Sequence, residues 1–124
     1  MELIIGGAFQ GKLTYALKKH SFSDESILDL SHNDPSPGFC CYTHVEAYTK
    51  RAATEGIAAQ ELFEKLIPFF RGAVVISREI GCGIVPLEGD ERSWREVHGK
   101  LLSLLANEAD SVIRIFCGLE TVLK

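Results

Sequence analysis

No apolar run in the 124-residue chain approaches the ~20 residues that a membrane-spanning helix needs. The opening Met1-Glu2-Leu3-Ile4-Ile5 has no basic stretch and no small-residue cleavage site, so no secretory signal is expected. The cytoplasm is the expected compartment. An excess of basic charge is also missing. Thirteen Lys and Arg against seventeen Asp and Glu leave a formal charge of -4, which speaks against a nucleic-acid-binding surface. The four cysteines, Cys40, Cys41, Cys82 and Cys117, match no zinc spacing, because an adjacent pair cannot easily share one tetrahedral metal. In a reducing compartment they are expected to be free thiols that pack as small apolar residues. No linker, repeat or low-complexity segment divides the chain, and residues 1–124 have the length of one domain.

What is present is an alternation of short β-rich runs with helical periods. Leu3-Ile4-Ile5 before Gly6-Gly7 reads as a buried strand entering a loop. Residues 12–20 read as a helix with Lys18 and Lys19 in its last turn, where cations suit the dipole. Ser26 to Leu30 reads as a second strand. Ser31 to Phe39, with Pro35, Pro37 and Gly38, reads as a loop. Thr43-His44-Val45-Glu46 has the T-x-x-E form of a capping box, predicting a helix over about 44–55 that stops at Gly56. The stripe Leu62, Phe63, Leu66, Ile67 and Phe70 predicts a third helix, ended or kinked by Pro68. Ala73 to Ser77 is the clearest strand. A second box, Ser93 to Glu96, leads a stripe of Trp94, Val97, Leu101, Leu104 and Leu105 on a fourth helix. Val112 to Cys117 is the last strand expected. Strands alternating with helices predict an α/β domain with a mainly parallel central sheet.

Gly6-Gly7-Ala8-Phe9-Gln10-Gly11-Lys12 fits G-x-x-x-x-G-K, the phosphate-loop pattern. Glycines let several N–H groups converge on one anion, and the lysine neutralises β/γ-phosphate charge. The loop follows a strand and opens a helix, whose positive end faces the same phosphates. The competing reading is a glycine-rich turn with an exposed lysine. The pattern next asks for a Ser or Thr hydroxyl on Mg²⁺, and Leu13 stands there. Thr14 is one residue late, about 100° further round the helix. A carboxylate at the end of a neighbouring strand is expected to hold magnesium or its water, and Asp29 is the candidate, as catalytic group and metal ligand. The bland alternative is a strand-end aspartate.

Glu79-Ile80-Gly81-Cys82-Gly83-Ile84-Val85-Pro86 follows the clearest strand, at the strand end where α/β sheets bind ligands. Glu79 stands at its mouth. Together with Gly6 to Lys12, this stretch resembles the adenosylcobinamide kinase/adenosylcobinamide-phosphate guanylyltransferase family. The resemblance covers residues 1–17 and about 73–124. It implies a three-layer P-loop nucleotide-binding domain, ATP or GTP as phosphoryl donor, GTP as guanylyl donor, and Mg²⁺. It further implies adenosylcobinamide as acceptor and a homo-oligomer. Lys12, Asp29 and Glu79 are then expected to be catalytic. Nucleotide contacts are expected from Gly6, Gly7, Ala8, Phe9, Gln10, Gly11, Lys12, Leu13 and Thr14, and from Arg92 and Arg95, whose guanidinium groups suit phosphate. The family's R-I-x-x-H-x-x-x-R-P stretch, which carries its guanylylated histidine, has no counterpart around His20, His32, His44 or His98. The kinase half is therefore the better implied of the two. The alternative is a catalytically weakened nucleotide-binding paralogue with a regulatory or partner role.

Overall fold

The computed structural model describes residues 1–80 and 89–124, so the Gly81 to Pro86 signature and Cys82 lie outside the described residues. In chain order the elements are β1 (Glu2–Gly6), α1 (Lys12–His20), β2 (Ile27–Asp29), β3 (Cys41–Thr43) and α2 (Val45–Thr54). They continue with α3 (Ala59–Phe70), β4 (Val74–Arg78), α4 (Gly89–Glu108), β5 (Ser111–Phe116) and β6 (Leu119–Val122). The six strands form one sheet in the order β2-β3-β4-β1-β5-β6. All adjacent pairs are parallel except β5 with β6. The expected mixed α/β architecture with a mostly parallel sheet is what the chain adopts.

β1 lies at the centre, and its apolar run reflects burial on both faces. Leu3 packs with Val45, Leu62, Leu66 and Leu101 of α2, α3 and α4, whereas Ile4 packs with Ala16 of α1. One helix thus covers one face of the sheet and three cover the other. Trp94, Leu101 and Leu105 are buried along α4 as their spacing predicts. Pro68 sits inside α3, two residues before its end at Phe70.

Five local expectations are corrected. β3 falls where the sequence suggested only the approach to a helix, and Thr43 belongs to that strand. The Thr43–Glu46 capping box does not form. His44 caps α2 in the left-handed region at φ 59°, and Glu46 turns its carboxylate to the N–H groups of Ala47 and Arg78 instead. Ser93 to Glu96 also caps nothing, because α4 already starts at Gly89. β6 is the second unexpected strand, reached through Cys117 and Gly118, both at positive φ. Of the described cysteines only Cys41 is buried, and burial pushes its thiol up to about 12. Cys40 and Cys117 are exposed, against the expectation of packed thiols. Among the described residues no helix is long and apolar enough to cross a membrane.

Candidate functional site

The carboxyl ends of β1, β3 and β4 open on a cleft of about 480 Å³. The loop between β1 and α1 forms one wall, with Ala8, Phe9, Gln10, Gly11, Lys12, Leu13 and Thr14. Thr43 and His44 after β3, and Glu46, Ala47 and Lys50 on α2, form the opposite wall. Ile76 and Arg78 of β4 and Trp94 of α4 close the floor.

The loop has the backbone its glycines permit. Gly11 sits at φ 90°, a region costly for other residues, and delivers the chain into α1 at Lys12. Phe9 is also left-handed, at φ 58°, and its ring is fully exposed. Lys12 Nζ donates to the Gly7 carbonyl at 2.6 Å, so the ammonium curls back over the loop. Burial lowers its pKa below the ordinary lysine value, and the Arg78 charge adds to this, while Glu46 and Glu79 oppose it. The Glu79 N–H donates to Gly6 O at 2.8 Å, locking the exits of β1 and β4 together.

Three cations converge here. Trp94 is buried beside two of them, with Lys50 Nζ 4.9 Å and the Arg78 guanidinium 5.9 Å from its ring centre. Its indole N–H donates to the Glu46 carbonyl at 2.9 Å, which fixes the ring. Lys12 supplies the third. Glu46 is 8% exposed and both its carboxylate oxygens accept backbone N–H groups.

The remaining expected residues are spread more widely. Glu79 ion-pairs with Arg114 at 3.0 Å, which accounts for a charge inside β5. Arg92 is exposed and Arg95 half-buried on α4, and neither lines the cleft. Asp29 ends β2, the edge strand, and not a neighbour of β1 as expected. Three strand spacings separate β2 from β1, roughly 14 Å. Its Oδ1 accepts the Ser31 N–H at 2.8 Å and lies 3.0 Å from His44 Nδ1. Burial raises the Asp29 pKa, but the hydrogen bonds from Ser31 and the charges of His44 and His32 outweigh it and hold the carboxyl below its usual value.

Among the described residues no three His, Cys, Asp or Glu side chains are grouped to hold a metal ion. Leu13 has no side-chain oxygen to offer, Glu46 is committed to backbone N–H groups, Glu79 faces Arg114, and Asp29, the expected ligand, faces Ser31 and His44 on the edge strand. These side chains do not fit a resident magnesium site, and no step is routed through one.

Lys50 and Arg78 went unmarked in the sequence, and Thr43 and Glu46 were read only as a capping box. Only Arg78 carried a signal, as a charge directly ending the strongest apolar strand. Lys50 looks like an ordinary helix-surface residue, and Glu46 like a capping residue, until β3 brings α2 beside the loop.

A comparison with curated proteins finds no match. A scan against protein families matches the model described as cobinamide kinase / cobinamide phosphate guanyltransferase over residues 40–123. The match takes in β3, the cleft wall on α2, β4, α4 and β5, and starts after the Gly6 to Lys12 loop. Because it spans well over half of the sequence, the chain belongs to the cobinamide kinase / cobinamide phosphate guanyltransferase family.

Proposed function

We propose that this chain is a nucleotide-dependent transferase that phosphorylates the free hydroxyl of adenosylcobinamide, with the triphosphate of ATP or GTP seated on Gly6 to Lys12. The observation that carries this reading is the single cleft shared by that loop and the cations Lys12, Lys50 and Arg78. The loop opens a helix, whose first N–H groups have no intrahelical partner and suit phosphate oxygens. Lys12 need only swing from the Gly7 carbonyl to a phosphate oxygen, exchanging a neutral acceptor for a charged one. In this reading residues 1–124 make one three-layer P-loop domain, and a triphosphate brings its own magnesium as part of the substrate.

The guanylyltransferase half has weaker support. His98 is wholly buried, and His20 pairs with Glu2 at the opposite end of β1. Intact-mass measurement after incubation with GTP is expected to show no guanylyl adduct. Leu13, with no hydroxyl to offer, favours a second reading, a nucleotide-binding relative with weakened catalysis.

Calorimetry and a transfer assay separate these. Lys12→Ala should weaken ATP or GTP binding more than tenfold, since a charge-assisted contact is worth ~1.5–3 kcal/mol. Equal affinity in wild type and variant would remove the nucleotide site. Tight binding without transfer to adenosylcobinamide would leave the weakened relative.

A further inference from the structure

We infer that His44, held by Asp29, is the catalytic base that accepts the proton of the attacking hydroxyl. This rests on the phosphoryl-transfer reading above and adds a group to it.

His44 lines the cleft opposite Lys12, and its side chain is 54% exposed. Its Nδ1 lies 3.0 Å from Asp29 Oδ1 and 3.1 Å from Thr43 Oγ1. A lone pair facing a carboxylate at that distance would be repelled, so Nδ1 carries the proton of the neutral ring. Nε2 then holds the free lone pair, and it is the nitrogen that neither Asp29 nor Thr43 engages. A carboxylate that fixes the tautomer and faces the imidazolium formed later is the arrangement by which histidine bases are oriented elsewhere.

The backbone holds this ring in place at some cost. His44 adopts φ 59°, a conformation that non-glycine residues take uncommonly, at the junction of β3 and α2. The parallel pairing of Asp29 with Thr43 sets the carboxylate beside the residue that follows. The positive end of α2 lies at the same point, so the Asp29 carboxylate also faces the helix N-terminus. This gives Asp29 a purpose on an edge strand, far from β1. It acts as a positioning residue.

In the step itself, the acceptor oxygen attacks the γ-phosphorus of the nucleoside triphosphate. The new O–P bond forms as the bond to the β/γ bridging oxygen breaks, and the nucleoside diphosphate leaves with that electron pair. The acceptor's O–H proton passes to His44 Nε2, giving an imidazolium that faces Asp29 through Nδ1–H. Release of that proton to solvent restores the base.

The test compares wild type, His44→Ala, His44→Gln and Asp29→Asn in transfer from the magnesium salts of ATP and GTP to adenosylcobinamide. Nucleotide affinity is measured by calorimetry on the same samples. Removal of a general base is expected to lower kcat about 100-fold or more in both His44 variants, with nucleotide affinity held within about threefold. Added imidazole should restore part of the His44→Ala rate, which a purely structural loss would not allow. Asp29→Asn should lower kcat about tenfold or more at unchanged nucleotide affinity. His20→Ala, at the far end of the sheet, should match wild type. Undiminished kcat in His44→Ala, or loss of rate that imidazole does not rescue, overturns the base and leaves the transferase reading intact. Absence of transfer in wild type overturns both.

Discussion

Gly6 passes so close to Ile115 that a Cβ on Gly6 would lie 2.5 Å from the Ile115 carbonyl oxygen. The two residues are paired in register across β1 and β5, so the obstacle is backbone and cannot rotate away. Gly6→Ala must therefore push the central strands apart, at a cost of about 1–3 kcal/mol. Gly7 offers the control, because among the described residues a Cβ there would meet only the Gln10 side chain at 3.6 Å, an ordinary contact. Urea unfolding should show a lowered midpoint for Gly6→Ala and little change for Gly7→Ala. Equal midpoints would mean that the sheet yields at this point.

Stability should fall in acid because of one buried ring. His98 is wholly buried on α4, and its Nε2–H donates to the Arg78 carbonyl at 3.0 Å, while Nδ1 lies 3.1 Å from Thr49 Oγ1. Burial, with the nearby Arg78 charge, lowers its pKa from 6.5 to about 4, although the hydrogen bond to Arg78 O works the other way. Between these values the unfolded chain binds the proton and the folded chain does not, so unfolding gains as pH drops. The contribution is complete above pH 6.5, is lost progressively toward pH 4, and levels off below it. The loss from this group is about 3 kcal/mol. Urea unfolding from pH 7 to 4 should show it. His98→Gln, though less stable at pH 7, should show a flatter dependence over the same window.

How much of this was visible in the residues differs by element. β1, α1, α3, β4 and α4 were legible because each carries an apolar run or stripe, or directly follows a glycine-rich boundary. β3 was not. Its three residues follow a proline-rich loop and run straight into a T-x-x-E pattern, and a local pattern cannot show that Tyr42 pairs with Val75 on β4. β6 was hidden for another reason. All four of its residues are exposed, so no burial period marks it, and its pairing with β5 depends on the Cys117–Gly118 turn. Within the site, the loop from Gly6 to Lys12 was legible as a contiguous string. Asp29 was recognised but misplaced, since strand order decides what a strand-end carboxylate can reach. The wall of Thr43, His44, Glu46 and Lys50 is assembled by that same order.

Gln10 ties the loop to the far hairpin. Its side-chain Oε1 accepts the Cys117 N–H, and its carbonyl accepts the Gly118 N–H at 3.0 Å. Gln10→Ala removes the first tie and keeps the second. Because Cys117 is exposed, water can take over its N–H, and the stability cost should stay below about 1 kcal/mol. The loop must then be ordered by the ligand, which costs about 0.5–1.5 kcal/mol per immobilised group. Nucleotide affinity should accordingly drop several-fold while the urea midpoint hardly moves. A large fall in stability with unchanged affinity would make Gln10 a structural strut only.

Leu13 sets the last expectation, which concerns metal dependence. It is the second residue of α1, next to Lys12, is 39% exposed and lines the cleft. A hydroxyl there would face the same cleft as Lys12. With no described side chains arranged as a metal site, wild-type nucleotide affinity should change less than about threefold when magnesium is removed with a chelator. Leu13→Ser adds one oxygen ligand for the ion that the triphosphate carries, and magnesium tolerates a shell completed by water. The variant should bind nucleotide about tenfold tighter than wild type with magnesium present, and lose that gain on chelation. Calorimetric titrations of both proteins, with magnesium and with chelator, read the difference directly. A wild type whose affinity already collapses on chelation would show that the chain holds the ion without a residue-13 hydroxyl.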